Sequence, residues 1–215
     1  MRLLLAPFRF LARFGVIVLI VLASMAFAAN LPGKCQQYQG LFIREARAVW
    51  GINAPSASMA AQAFQESRCL PGAVSPVGAR GVGQFMPATA KWMPSIDPML
   101  APRDGWGVTA PAWDIRALVS YDRWLWHRVK GADSCQKMAK AMRGYNGGLG
   151  WVYRDEKLAV ARGLNPLVNF GQLDQVNAGR SAAAFRENTH YPRLILLTYE
   201  PRFIAAGFGP GVCQP

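Results

Sequence analysis

The stretch from Ala61 to Met93, AQAFQESRCLPGAVSPVGARGVGQFMPATAKWM, sets one carboxylate, Glu66, at the join between an alanine-rich segment and a glycine-rich one. Ser56 to about Ser67 has no internal proline or glycine and predicts a short helix, which Pro71 and Gly72 stop. Met59, Ala63 and Glu66 fall at i, i+4 and i+7, so the carboxylate lies on an apolar face near the helix end. Desolvation there disfavours the charged form and raises the pKa, as a general acid near neutral pH requires. Taken alone, Glu66 is better read as a helix-terminal residue pointing into water. Gly72, Gly78, Gly81 and Gly83, with Pro76 among them, then impose a compact irregular loop before Pro87 opens another helix. Such a loop can bring backbone amides and the side chains of Ser75 and Gln84 beside the carboxylate.

The rest of the chain reads as helices around this unit. Gln37 to Trp50 carries Tyr38, Leu41, Phe42, Ala46 and Val49 on one face, with Glu45 beside that stripe as a solvated or salt-bridged edge. Pro94 to Pro111 is a proline-rich loop whose Trp106 is either a sugar-stacking ring or a core contact. Asp114 caps a helix running to about Val129. Asp122 lies on its apolar stripe, where an edge or salt-bridge role is preferred to that of a second catalytic carboxylate. Ser134 caps a helix with Met138, Ala141, Met142 and Tyr145 on one face, closed by Asn146, Gly147 and Gly148. Trp151 to Arg162 forms another helix, and Tyr191 to Ala205 forms the last, with Pro192 in its first turn and Pro201 bending or ending it. With only His127 and His190 in the chain, neither a histidine-centred metal site nor a Ser-His-Asp triad can be assembled, and no cofactor is expected.

The front of the chain differs. Arg2, Arg9 and Arg13 precede the uncharged run Phe14 to Ala29, and Ala26, Phe27 and Ala28 supply a small-x-small triplet, so residues 1–28 read as a signal peptide or an uncleaved membrane anchor. Residues 29–215 form one domain. The localisation expected is the periplasm or cell envelope. Cys35, Cys69, Cys135 and Cys213 all follow the leader and predict two disulfides; the expected pairing is Cys69 with Cys135 and Cys35 with Cys213, the latter joining the ends of the mature chain. Without the three leading arginines the formal charge falls from +12 to +9, which favours anionic envelope polymers or lipid headgroups; no nucleic-acid motif is present.

ESRCLPGAVSPVGARGVGQFMPATA resembles the soluble lytic transglycosylase family of peptidoglycan-cleaving enzymes, whose pattern runs E-S, a short spacer, then A-x-S-x-x-G-A-x-G-L-M-Q-x-M-P-x-T-A. RGYNGG at Arg143–Gly148 resembles the family's A-Y-N-x-G, and ENTHYPRLI at Glu187–Ile195 its E-T-x-x-Y-V. Gly83 stands where the family usually has Met and Gly144 where it usually has Ala, and Pro192 follows the late tyrosine. The resemblance implies a mainly helical, lysozyme-like fold with an active-site cleft. It also implies cleavage of the β-1,4 bond between N-acetylmuramic acid and N-acetylglucosamine, with a 1,6-anhydro product. Glu66 would be catalytic. Tyr145 would orient its carboxylate, Asn146 would shape the adjacent groove, Tyr191 would line it, and Ser75, Gln84 and Met86 would complete substrate binding. Glycan strands are the implied partner, with an envelope-spanning machine a possible setting. A hydrolase on the same fold would need a second carboxylate, Asp97 or Asp104. A non-enzymatic wall-binding protein and a cationic membrane-active protein are the remaining alternatives.

Overall fold

The structure is a computed structural model that describes residues 33–100 and 110–213. The leader, Asp104 and Trp106 lie outside the described residues. Among those residues the fold is helical, and extended pairing is confined to two isolated bridges, Val74 with Arg80 and Arg80 with Phe85.

Helices α1 (Gln39–Trp50), α2 (Ser56–Ser67), α3 (Pro87–Trp92), α4 (Pro111–Trp126), α5 (Ser134–Gly147), α6 (Leu149–Ala161), α7 (Ala182–Arg193) and α8 (Glu200–Ala205) surround a single main core. At its centre is α2, buried from Ser56 through Phe64 and again at Ser67. Its alanines and serines let α1, α4, α8 and the segment Leu194–Tyr199 approach it from different sides, as a helix buried all round requires. Ser56 Oγ donates to the Phe208 carbonyl at 2.5 Å, and Ser58 Oγ donates to the buried Glu200. Helix α5 packs against α4, α6 and α7.

Several element boundaries differ from the sequence expectation, each for a local reason. The first helix starts at Gln39 because Gln37 and Tyr38 close the preceding turn, Gly33–Gln36, through their own N–H groups. Helix α4 begins at Pro111, whose missing N–H suits the first turn, and ends at Trp126 rather than Val129. Asp114 is therefore inside the helix and accepts the Val82 N–H at 3.1 Å instead of capping. At α5 the cap is Asp133, whose carboxylate accepts from Gln136 N–H at 2.7 Å; Ser134 is the first helical residue. The last expected helix is three pieces. Ser181 caps α7 ten residues before Tyr191, and Pro192 lies inside that helix, where it has no N–H to donate. A wider π turn, Leu194–Tyr199, follows, and Pro201 sits in the first turn of α8.

The disulfide expectation is corrected. The bridges are Cys35–Cys69, with Cα atoms 5.1 Å apart, and Cys135–Cys213, at 4.6 Å. The turn Gly33–Gln36 brings Cys35 to the end of α2. Glu200 accepts the N–H groups of Val212 and Cys213 at 3.1 and 2.9 Å, which docks the C-terminal segment for the bridge to Cys135 at the start of α5. Each bridge thus ties a short outlying segment to the end of a helix, Cys35 to the end of α2 and Cys213 to the start of α5. Among the described residues no helix is long and apolar enough to cross a membrane.

Candidate active site

Helix α2 surfaces only at its last turn. Arg68 and Cys69 both adopt left-handed backbone, at φ 56° and 59°, and reverse the chain immediately after Glu66 and Ser67. Ser67 Oγ donates to the Val82 carbonyl at 2.9 Å and accepts the Leu70 N–H, which ties the returning loop to the helix end. Two glycines make the loop possible. Gly81 has φ +78°, and a Cβ there would fall 2.3 Å from an Asp114 oxygen. At Gly83 a Cβ would fall 3.0 Å from the Tyr145 hydroxyl and 2.7 Å from the Phe85 ring.

The result is a cleft of about 410 Å³ lined by Glu66, Ser75, Gln84, Met86, Tyr145 and Asn146 together with Val77, Ala79, Phe85, Thr89, Tyr121 and Glu187. Tyr191 is buried beneath it, and its hydroxyl donates to Glu66 Oε1. Burial pushes the Glu66 carboxyl up to about 7 from an ordinary value of 4.5; the Tyr191 hydrogen bond pulls the other way, and the Glu187 charge adds to the rise. Burial chiefly, and then the Glu66 charge, hold the Tyr145 and Tyr191 phenols well above their usual range, so both remain donors.

The two tyrosines exchange their expected parts. Tyr145 donates to the Gly83 carbonyl at 2.6 Å, a contact a side chain at position 83 would obstruct, while Tyr191 holds Glu66. Ser75 Oγ accepts the Ala79 N–H at 3.0 Å, and Gln84 Nε2 donates to the Ala73 and Gly81 carbonyls at 3.2 and 2.9 Å. Both residues thus shape the loop as well as lining the cleft. Asn146 bridges Glu187 and Asn188 at 3.2 and 3.1 Å, and Met86 is half-exposed on the rim.

The other carboxylates separate clearly. Asp97 lines a different hollow, with Arg116, Arg123 and His127. Burial raises its pKa, but hydrogen bonds from Arg116 at 2.5 Å, Ser120 at 2.6 Å and the Met99 N–H at 3.0 Å outweigh it and hold the group low. Glu45 pairs with Arg44 and Arg116 on the surface of α1. Asp122 is neither an edge residue nor a salt-bridge partner; it is fully buried and accepts from Gln62. Glu187, the second carboxylate of the cleft, was visible in the sequence only as the first letter of ENTHYPRLI. Nothing in its own spacing assigned it there. Among the described residues no group of three or more His, Cys, Asp or Glu is gathered as a metal site would need.

Replacing Tyr191 with Phe removes the donor that favours the charged form, so the Glu66 pKa rises above about 7. The limb of a turnover–pH profile that falls as Glu66 loses its proton is expected to move to higher pH in Tyr191→Phe. A limb that stays in place or moves down would contradict this geometry.

The family model of the transglycosylase SLT domain matches residues 43–166, more than half of the chain and the stretch that carries Glu66, the glycine-rich loop and Tyr145, and the chain belongs to that family. It is similar to the membrane-bound lytic murein transglycosylases F of Shewanella pealeana, Shewanella halifaxensis and Shewanella loihica, each 32% identical over 145 residues. Those matches take in 66% of this chain and 27% of each relative, so the chain spans about a quarter of the length of these relatives.

Proposed function

We propose that this protein is a peptidoglycan lytic transglycosylase that cleaves the β-1,4 bond between N-acetylmuramic acid and N-acetylglucosamine and leaves a 1,6-anhydromuramic end. The observation that carries the reading is Glu66: a carboxyl of pKa about 7 on the floor of a cleft, held by the Tyr191 hydroxyl. Such a group is substantially populated in both protonation states near neutral pH, and the reaction uses both. Neutral Glu66 protonates the glycosidic oxygen as the bond to C1 breaks. The resulting carboxylate takes the proton of the muramic C6 hydroxyl as that oxygen attacks C1. Glu66 ends protonated, and no water is consumed. The substrate's own N-acetyl group stabilises the developing positive centre, which is how some glycosidases manage without a carboxylate nucleophile. Ser75, Gln84, Met86, Tyr145 and Asn146 bind and orient the sugars.

A net charge of +9 on residues 29–215 suits approach to an anionic wall. The leader at 1–28 would export the domain to the periplasm, and an uncleaved leader would anchor it at the inner membrane, where it could open the wall for an envelope-spanning machine. A muramidase reading has one observation in its favour, Glu187 in the same cleft, which could activate water. The experiment is digestion of purified peptidoglycan by residues 29–215, beside a Glu66→Gln control, with mass analysis of released muropeptides. Anhydro products absent from the control support the proposal; reducing-end products would assign hydrolysis.

A further inference from the structure

Gln62 and Asp122 are both fully buried, and Gln62 Nε2 donates to Asp122 Oδ1 at 3.2 Å. Each keeps a second buried oxygen, Gln62 Oε1 and Asp122 Oδ2, without a hydrogen-bond donor among the described residues. An ionised Asp122 would then be a buried anion with no cation paired to it, an arrangement proteins rarely sustain. Of the titratable groups around it, Glu66 from α2 adds a like charge that disfavours ionisation, while Tyr121 beside it on α4, Tyr145 from α5 and Tyr191 from α7 are phenols that stay neutral and supply no positive charge. One proton resolves both defects. Placed on Oδ2, it removes the charge and turns that oxygen into a donor, the kind of partner that Gln62 Oε1 lacks.

We propose that Asp122 is a neutral carboxylic acid that closes a reciprocal amide–acid pair with Gln62, and that this pair is a positioning device for Glu66. Gln62 precedes Glu66 by one turn on the same face of α2, so the pair pins the end of α2 to α4 directly behind the reacting carboxyl. Burial first, and the Glu66 charge after it, raise Asp122 well above the carboxylate range and outweigh the Gln62 hydrogen bond. Two consequences follow for the reaction. A neutral Asp122 cannot activate water, so it is not the second carboxylate of a hydrolase. It also keeps a second negative charge away from Glu66, whose own carboxylate must form in the second half of the cycle.

The kinetic part of this inference rests on Glu66 being the acid–base group, whereas the protonation of Asp122 does not. Infrared difference spectra between the protein and Asp122→Asn, at a pH well above the Glu66 value of about 7, are expected to show the carbonyl band of a protonated acid in the unsubstituted protein alone. Loss of carboxylate bands instead would overturn the proposal, whatever the enzyme does. In turnover assays Asp122→Leu is expected to lower kcat by about tenfold or more with KM little changed, because the pair positions the acid and does not touch the sugar. Asp122→Asn keeps the donor and acceptor of a neutral acid and is expected to rescue most of that loss. An Asp122→Asn variant as inactive as Glu66→Gln would mean that an ionisable group is required at position 122, and the proposal would fall.

Discussion

Glu66→Gln is expected to lower turnover by about 100- to 10,000-fold, the range a positioned general acid–base contributes, and to make the fold more stable in alkaline solution. The two effects share one cause. Folding raises the Glu66 pKa from 4.5 to about 7, so the folded state binds this proton more tightly than the unfolded chain does. That contribution is fully present below pH 4.5 and is lost as pH rises through 7. Above that point wild-type protein carries a penalty of roughly 3–4 kcal/mol, which the neutral glutamine avoids. Thermal unfolding at pH 5 and pH 8 should show a stability gain in Glu66→Gln that is larger at pH 8. Parallel pH dependence in the two proteins would mean that Glu66 is not held in a desolvating site.

The largest expected loss of stability lies at Asp155. This carboxylate is fully buried, receives Arg143 at 2.5 Å and Arg180, and accepts the Ala178 N–H at 3.0 Å. Asp155→Ala leaves two buried guanidinium groups with no carboxylate between them, a loss of about 3–5 kcal/mol. Burial, with the Arg180 charge adding to it, already brings Arg143 down to about 10, and Asp155 is the chief opposing influence. The effect extends to the cleft. Arg143 Nε donates to Asn188 Oδ1 at 3.1 Å, Asn188 donates to Asn146 at 3.1 Å, and Asn146 donates to Glu187 at 3.2 Å. Denaturant titration should therefore show a lower midpoint, and the residual folded enzyme should show a raised KM. Replacing Arg143, Asp155 and Arg180 together with apolar residues should cost less stability than Asp155→Ala alone, because no buried charge is stranded. A single substitution within 1 kcal/mol of wild type would contradict this account of the network.

What the sequence disclosed was local. Glu66 at a helix end, the glycine loop behind it, and Tyr145 with Asn146 at another helix end follow from periodicity, breakers and the family's spacing, and all four features meet at one cleft. What it concealed depends on which segments meet in space. The pairing of four cysteines is one case, because any of three connectivities fits the spacing, and docking of Val212 and Cys213 on Glu200 decides it. The exchange between Tyr145 and Tyr191 is another. It involves the room that Gly83 leaves for a phenol, since a Cβ there would fall 3.0 Å from the Tyr145 hydroxyl; the glycine was visible in the sequence, but the tyrosine that uses its space was not. Asp122 shows the same limit: its place on an apolar stripe was legible, but whether the opposing helix offered it an arginine or an amide was not. The start of α7 is hidden because proline is usual in a first turn, whereas Pro192 lies near the end of this helix, just before the wider π turn at Leu194–Tyr199.

In the proposed reaction one carboxyl performs both proton transfers, and the sugar's own hydroxyl, not water, attacks C1. Digestion of peptidoglycan in water enriched in heavy oxygen tests it most directly. The account predicts unlabelled muropeptides, each one water lighter than its hydrolytic counterpart. Muropeptides that carry the heavy isotope at a new reducing end would contradict it.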